Sequence, residues 1–198
     1  MNQTMKKPAG SAYDRILTVA ADLFYKQGYR ATGINEIIEK SGVAKATFYN
    51  HFPSKDELCG ASLNWLRANE MKYVDTAIAN AKGPADRFLS VITSLKPWAE
   101  GTEFRGCAFM NIAAEVPDSD SPLRKVGTRL YDDIRKRVAV LASELIESDK
   151  EKYGHLSASK LTNDLMISFA GAVALAAIYQ AIWPIEHAEQ DMRRLIGE

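Results

Sequence analysis

The sequence is poor in cysteine and histidine, with two cysteines and three histidines among 198 residues. Cys59 and Cys107 do not form a C-x-x-C pair, so the pattern predicts neither a disulfide framework nor a metal site. We therefore expect no metal and no cofactor, and a reducing cytoplasm as the location. The 25 basic and 25 acidic residues cancel, so net charge gives no argument for nucleic acid or a membrane surface as a partner.

The signatures of common enzymes are also missing. The chain has no nucleophile elbow, no glycine-rich phosphate loop and no metal-ligand spacing, and its carboxylates are scattered over helix faces. These absences argue against an enzyme. The hydrophobic content of 46% nevertheless suffices for one sizeable core or two small ones, which excludes a disordered chain.

Long hydrophobic runs are rare, and one uncharged segment, from Leu165 to Ile185, is long enough to cross a bilayer. Seven of its residues are Ala or Gly, and no basic cluster flanks the segment to set an orientation. Small residues allow helix backbones to approach each other closely. We therefore expect a helix packed against other helices and no membrane span.

Helical spacing runs through nearly the whole chain, and no alternating run of β-branched residues is long enough for a strand. The sequence thus predicts an all-α protein. Capping residues, glycines and prolines divide it into predicted helices at about 11–28, 32–42, 45–51, 54–81, 84–98, 107–115, 123–148, 159–183 and 184–196. A polar loop is expected at about 150–159.

The stretch GVAKATFYNHFPSKDEL, residues 42–58, contains the third of these helices. The second and third helices are short and meet at Gly42, which is typical of a helix-turn-helix. At 100° per residue, Ala44, Phe48 and Phe52 form one stripe, which we expect to be buried. Lys45 and His51 lie on its two borders, and the opposite face is left for a partner.

That opposite face carries residue types that read a DNA major groove. Asn50 can offer a paired donor and acceptor to adenine, and the methyl groups of Ala46 and Thr47 can touch a thymine methyl. Tyr49 can reach a phosphate or a base methyl. The predicted DNA contacts are Thr32 and Gly33, at the open amino terminus of the second helix, and Lys45, Ala46, Thr47, Tyr49, Asn50, His51 and Lys55.

Two alternatives remain open at this stage. His51 can donate to a phosphate or can close the edge of the core. Tyr49 can instead be a core aromatic, with Asn50 a plain surface residue, although both point away from the predicted stripe.

From Ile16 to Leu58 the chain, ILTVAADLFYKQGYRATGINEII followed by SGVAKATFYNHFPSKDEL, resembles the DNA-binding domain of TetR-type (TetR/AcrR) transcriptional repressors. The matching residues are Phe24, Gly28, Gly42, Val43, Thr47, Tyr49, Phe52 and Lys55. The resemblance implies a homodimer whose two helix-turn-helix units bind a palindromic operator in double-stranded DNA. Ala44 departs from the pattern, because the family commonly has Ser or Thr there as a helix cap, and Gly33 replaces a hydroxyl residue.

The start, MNQTMKKPAG, has two lysines but no apolar run after them, so we expect a flexible arm at 1–10 and no secretory signal. The resemblance also implies a DNA-binding domain at 11–58 and a helical domain at 59–198 that binds an effector and pairs the subunits. The last two helices are expected to form a four-helix bundle with those of the second subunit. The effector is expected to be an apolar or aromatic small molecule, with Asn111 and Glu115 orienting it. The candidate effector-binding residues are Trp65, Trp98, Phe104, Cys107, Phe109, Met110, Asn111, Glu115, Phe169 and Tyr179.

Two other functions are compatible with the sequence. Cys107 opens a predicted helix, and a helix amino terminus favours the thiolate, so the chain could be a repressor that senses electrophiles or oxidants. An unchanged response of a Cys107→Ser variant to an electrophile would exclude this. The second alternative is a helical ligand-binding or adaptor protein without specific DNA binding.

Overall fold

The computed structural model describes residues 10–198, and the arm predicted at 1–10 lies, apart from Gly10, outside the described residues. This part of the chain is all-α, without a strand. Its helices are α1 (Ala12–Gln27), α2 (Ile34–Ser41), α3 (Lys45–His51), α4 (Lys55–Asn80), α5 (Pro84–Thr93), α6 (Leu95–Gly101), α7 (Ala108–Glu115), α8 (Pro122–Ser148), α9 (Lys150–Tyr153), α10 (Ala158–Tyr179) and α11 (Trp183–Ile196).

Local capping explains where the first helices begin and end. The Ser11 hydroxyl accepts the N–H of Asp14 at 3.2 Å, and the Asp14 carboxylate accepts the N–H of Ser11 at 3.2 Å, which is the capping box expected at the start of α1. Gly42 ends α2 in the left-handed conformation. The bounds of α3 are those predicted from the sequence.

Three expectations about helices are wrong. The helix predicted at 84–98 is divided into α5 and α6 at Ser94, because Pro97 has no N–H to donate to the carbonyl of Thr93. The loop predicted at 150–159 contains the short helix α9, which Asp149 caps. The uncharged segment from Leu165 is interrupted at Gln180, whose left-handed backbone ends α10.

The chain divides into two compact units. The first comprises the residues up to Ala68 together with Ala108–Thr128, and the second comprises Asn69–Cys107 and Arg129–Glu198. The core of the first unit is built on α1, α2, α3 and the start of α4, from Ile16, Leu17, Ala20, Leu23, Ile37, Phe48, Phe52 and Leu58. In the second unit α10 packs on α11, α5 and α6.

Among the described residues, α10 is the one helix whose length and composition would allow it to cross a membrane. One side of α10 is buried inside the second unit through Leu165, Phe169, Val173 and Ala176. Length and composition alone are weak evidence for a span, because a core helix of a soluble protein meets the same criteria.

Candidate nucleic-acid interface

The helix-turn-helix is fixed by its core and by one arginine. Phe48 is fully buried and Phe52 nearly so, as the stripe on α3 predicts. Ala44, the third residue of the predicted stripe, is exposed, because it is the cap residue outside α3. The Arg15 guanidinium donates from Nε to the carbonyl of Ser41 at 3.2 Å, which ties the last residue of α2 to α1.

The other face of α3 is open to solvent. Lys45, Ala46, Asn50 and His51 are exposed and Thr47 is half-buried. Tyr49 is 41% exposed, and its ring contacts Phe48 edge-on at a centroid distance of 5.3 Å. A polar, aromatic and small surface of this kind can enter a major groove.

His51 borders an aromatic cluster at the amino end of α1. The Tyr13 ring stacks on Phe52 at 5.0 Å and meets the His51 ring edge-on at 6.0 Å. His51 thus closes the edge of the core while its ring remains exposed. Both sequence-based alternatives for His51 are compatible with this position.

The start of α2 presents backbone N–H groups to a partner, but neither the side chain nor the N–H of Thr32 is among them. Its side chain is buried, and its hydroxyl donates to the carbonyl of Gly28 at 2.7 Å. The backbone N–H of Thr32 donates to the same carbonyl at 3.3 Å. Gly33 is the exposed cap residue, with no side chain to satisfy the first N–H groups of α2. An anion bound at this end of α2 would therefore contact Gly33 and the backbone N–H groups of the first turn.

Lys55, predicted as a phosphate contact, is half-buried and also contacts residues of the first unit. Its ammonium lies 4.5 Å from the centre of the Tyr29 ring and donates to the carbonyl of Arg30 at 3.4 Å. The Tyr29 hydroxyl donates to the Asp56 carboxylate, and burial together with this contact raises the pKa of Tyr29. Tyr29 and Asp56 were not among the predicted site residues, because neither carries a motif that marks such a contact.

The ten effector candidates fall into both units. Trp65, Phe109, Met110, Asn111 and Glu115 belong to the first unit. There, Asn111 and Glu115 line a cavity of about 20 Å³, which has room for about one water molecule. Within this unit they have no space to orient an organic effector.

The other five candidates, Trp98, Phe104, Cys107, Phe169 and Tyr179, belong to the second unit. Cys107 directly precedes α7, is half-buried, and its sulfur accepts a hydrogen bond from the Tyr131 hydroxyl at 3.7 Å. The Tyr131 ring meets Phe169 edge-on at 6.4 Å. Tyr179 is 58% exposed and lies beside Trp183, at a centroid distance of 5.3 Å.

The two thiols have different surroundings. Burial raises the pKa of the Cys59 thiol to about 12, so this residue remains an inert thiol near neutral pH. Cys107 is the more accessible of the two. A sensing role for Cys107 remains a hypothesis.

Glu70 is a partly buried carboxylate that sequence reasoning missed, because α4 shows no pattern that sets it apart. The indole N–H of Trp98 donates to Glu70 at 3.3 Å. Burial raises the pKa of Glu70, and the hydrogen bond from Trp98 opposes this shift. The environment therefore favours the neutral acid over the carboxylate.

The raised pKa of Glu70 predicts a stability that depends on pH. Below the pKa of about 4.3 that a glutamate has in the unfolded chain, Glu70 is protonated in both the folded and the unfolded state. It then does not lower the free energy of unfolding. As the pH rises through the higher pKa of the folded state, its ionisation lowers the free energy of unfolding. We expect the stability advantage of Glu70→Gln over the parent chain to grow with pH above the unfolded-state pKa and then level off, as urea unfolding between about pH 4 and 8 would show.

The matched control is Glu100→Gln, because Glu100 is an exposed carboxylate on the neighbouring helix α6. A stability difference for Glu70→Gln that stays constant over this pH range would contradict the buried-carboxylate account.

Two family models match the chain. The model of the bacterial regulatory proteins of the tetR family matches residues 16–61, and that of the tetracyclin repressor-like C-terminal domain matches residues 84–192. An uncharacterised HTH-type transcriptional regulator of Lactococcus lactis subsp. lactis is 31% identical over 140 residues, 67% of this chain and 68% of that protein. The HTH-type transcriptional repressor NemR of Escherichia coli K12 is 22% identical over 189 residues, 93% of each chain. A crystal structure of a TetR-family transcriptional regulator from Streptomyces coelicolor superposes with a TM-score of 0.83 at 25% identity, covering 94% of this chain and 96% of that one.

Proposed function

The chain belongs to the TetR family of bacterial regulatory proteins, and on that premise we propose that it represses transcription as a homodimer on a palindromic operator, from which a small-molecule effector releases it. The family makes the chain a DNA-binding transcriptional regulator and not an enzyme. We also propose the cytoplasm as its location, because the DNA that it binds lies there.

The observation that carries DNA binding is that neighbouring residues of α3 face opposite ways. Phe48 is fully buried, whereas Tyr49 and Asn50 beside it are exposed. A helix that served only as packing in an adaptor would not need an outer face of amide, ring and methyl groups. We assign base reading to Ala46, Thr47, Tyr49 and Asn50, because their side chains match base-edge donors, acceptors and methyl groups.

Asn50→Ala is expected to weaken operator binding by ~1–3 kcal/mol for each half-site, and the loss should concern one base pair in that half-site. The reason is that Asn50 supplies a paired donor and acceptor that alanine lacks. Fragments that the full chain selects from random DNA give the half-site and the spacing. Titration of those fragments and of single-base variants then measures the loss.

Lys45→Ala is the matched control, because Lys45 is exposed on the same helix but offers only a positive charge. It should weaken binding to operator and random DNA alike. The slope of log affinity against log salt concentration should become shallower by about 2 for the pair, about 1 for each subunit. Lys55 is less suitable, since its ammonium also contacts Arg30 and Tyr29. Equal losses on operator and random DNA for both variants would contradict these roles.

Pairing through the last two helices is supported by an apolar surface on α10, which we call the α10 stripe: Ile167, Gly171, Leu175 and Ile178. These residues are spaced by four, four and three and so share one face. Ile167 is 73% exposed and Ile178 is 72% exposed. Gly171 costs a helix ~1 kcal/mol relative to alanine, and an exposed glycine within an apolar face allows another backbone to approach closely. Contiguous exposed apolar side chains are a feature of interaction surfaces, which supports pairing through α10.

We propose an apolar or aromatic effector that contacts the second unit. Trp98, Phe104 and Phe169 supply aromatic surface there, and Glu70 and Tyr131 add polar groups that can fix orientation. A panel of aromatic compounds, of which none raised the melting temperature or released the operator, would contradict this proposal.

A further inference from the structure

The turn between α1 and α2 is held by a residue far away in the sequence. Glu115, the last residue of α7, accepts the backbone N–H of Tyr29 at 3.0 Å through Oε1 and that of Arg30 at 2.7 Å through Oε2. Hydrogen bonds to an ionised carboxylate are stronger than those between neutral groups. Glu115 therefore satisfies two backbone N–H groups of the turn between α1 and α2.

Gly28 provides the space for this carboxylate. It is buried, its φ is +96°, and a Cβ at this position would lie 2.7 Å from Oε1 of Glu115. Any other residue would push the carboxylate away from the turn. The carbonyl of Gly28 accepts the Thr32 hydroxyl, and the carbonyl of Arg30 accepts Lys55. Glu115, Thr32 and Lys55 thus each form a hydrogen bond with the backbone of this turn.

The stability of α7 does not explain why Glu115 lies where it does. The carboxyl end of a helix carries partial negative charge, so a glutamate there is unfavourable. The Arg124 guanidinium lies at this end and donates to the carbonyls of Ala113 at 3.0 Å and Val116 at 3.1 Å. The contacts that favour Glu115 at this position are the two N–H groups of the turn.

This turn leads directly into the DNA-binding surface. Gly33 follows it and caps α2, and α2 leads through Gly42 into α3. We propose that Glu115 is a positioning residue for DNA binding: by holding the N–H groups of Tyr29 and Arg30 it fixes the start of α2, and thereby the angle at which α3 is presented. This inference rests on the proposed function and adds that specific DNA binding depends on α7.

The test is Glu115→Gln in the full-length protein, because glutamine keeps the shape but loses the charge and one acceptor. Removing an anion from a DNA-binding protein should by electrostatics alone tighten binding to every DNA sequence. Positioning predicts the opposite: operator binding weakens about ten-fold. Binding to random DNA weakens less, so the ratio of the affinity for the operator to the affinity for random DNA falls. The amides of Tyr29 and Arg30 should also exchange hydrogen faster.

Glu39→Gln is the matched control, because Glu39 is an exposed carboxylate on α2. Its removal should leave operator binding unchanged or tighter. Glu115→Asp keeps the charge on a shorter side chain and should lie between the parent chain and Glu115→Gln. If a melting curve shows that Glu115→Gln is unfolded, Glu115→Asp decides the question.

Operator binding by Glu115→Gln equal to or tighter than that of the parent chain would overturn the proposal, as would unchanged protection of the two amides. The exchange measurement needs no DNA, so it separates this inference from the proposed function. A parent chain that selects no operator from random DNA would contradict the proposed function, while slower exchange at Tyr29 and Arg30 in the parent than in the variant would still support the contact made by Glu115.

Discussion

A variant carrying Ile167→Asp and Ile178→Asp is expected to be a monomer and to bind the operator at least ~100-fold more weakly than the parent chain. Both side chains lie in the α10 stripe and are more than two-thirds exposed in the single chain. In a twofold-symmetric pair each change occurs twice, so pairing would bury four unpaired carboxylates. A monomer cannot place two α3 helices ~34 Å apart on one face of DNA.

Sedimentation equilibrium gives the molar mass, and operator titration gives the affinity. Val140→Asp is the matched control, because Val140 is also an exposed aliphatic residue, at 57%, but it lies on α8 among Lys136, Arg137 and Ser143. This control should remain paired and bind the operator normally. A double variant that keeps the molar mass of a pair would show that the subunits meet elsewhere.

Phe48→Ala is expected to destabilise the first unit by ~3–5 kcal/mol, because it leaves a cavity in a well-packed core. The ring of Phe48 is fully buried in the cluster that contains Ile16, Ile37 and Phe52. Loss of this ring removes the support of α3, so operator binding should disappear together with the fold of this unit. Urea unfolding and hydrogen exchange of residues 34–52 measure the effect.

Tyr49→Ala removes a ring of nearly the same size from the next position and serves as the comparison. Tyr49 is 41% exposed, and the substitution removes only its edge-on ring contact with Phe48. The free energy of unfolding should therefore fall by less than ~1 kcal/mol. Operator affinity should nevertheless fall. A large loss of stability for Tyr49→Ala, or none for Phe48→Ala, would contradict the assignment of the two faces of α3.

The helix-turn-helix could be predicted in detail because its signals are local. Ser11 with Asp14 starts α1, Gly42 ends α2, and Phe52-Pro53 ends α3, each acting within a few residues of the helix end that it determines. The faces of α3 follow from the angle per residue alone. Ala44 was placed wrongly because it lies outside the helix, where that angle does not apply.

Contacts between distant parts of the chain could not be predicted. Glu115 was expected to orient an effector, yet its carboxylate binds the N–H groups of Tyr29 and Arg30, more than eighty residues earlier. Lys55 remains a predicted phosphate contact, and its additional contact with the Tyr29 ring had no signal in the sequence. These side chains have no local signal, because their partners are brought near by tertiary packing. The division at Ser94 did have a signal, namely Pro97 within the predicted helix.

Under the proposed pairing, Ile167 and Ile178 stay exposed until two chains meet, so the occupancy of the DNA target would depend on the abundance of the chain. Below the dissociation constant for pairing, the concentration of paired chains rises with the square of the chain concentration. Halving synthesis would then reduce the paired form about four-fold by mass action. Regulation by this protein would therefore switch over a narrow range of expression level.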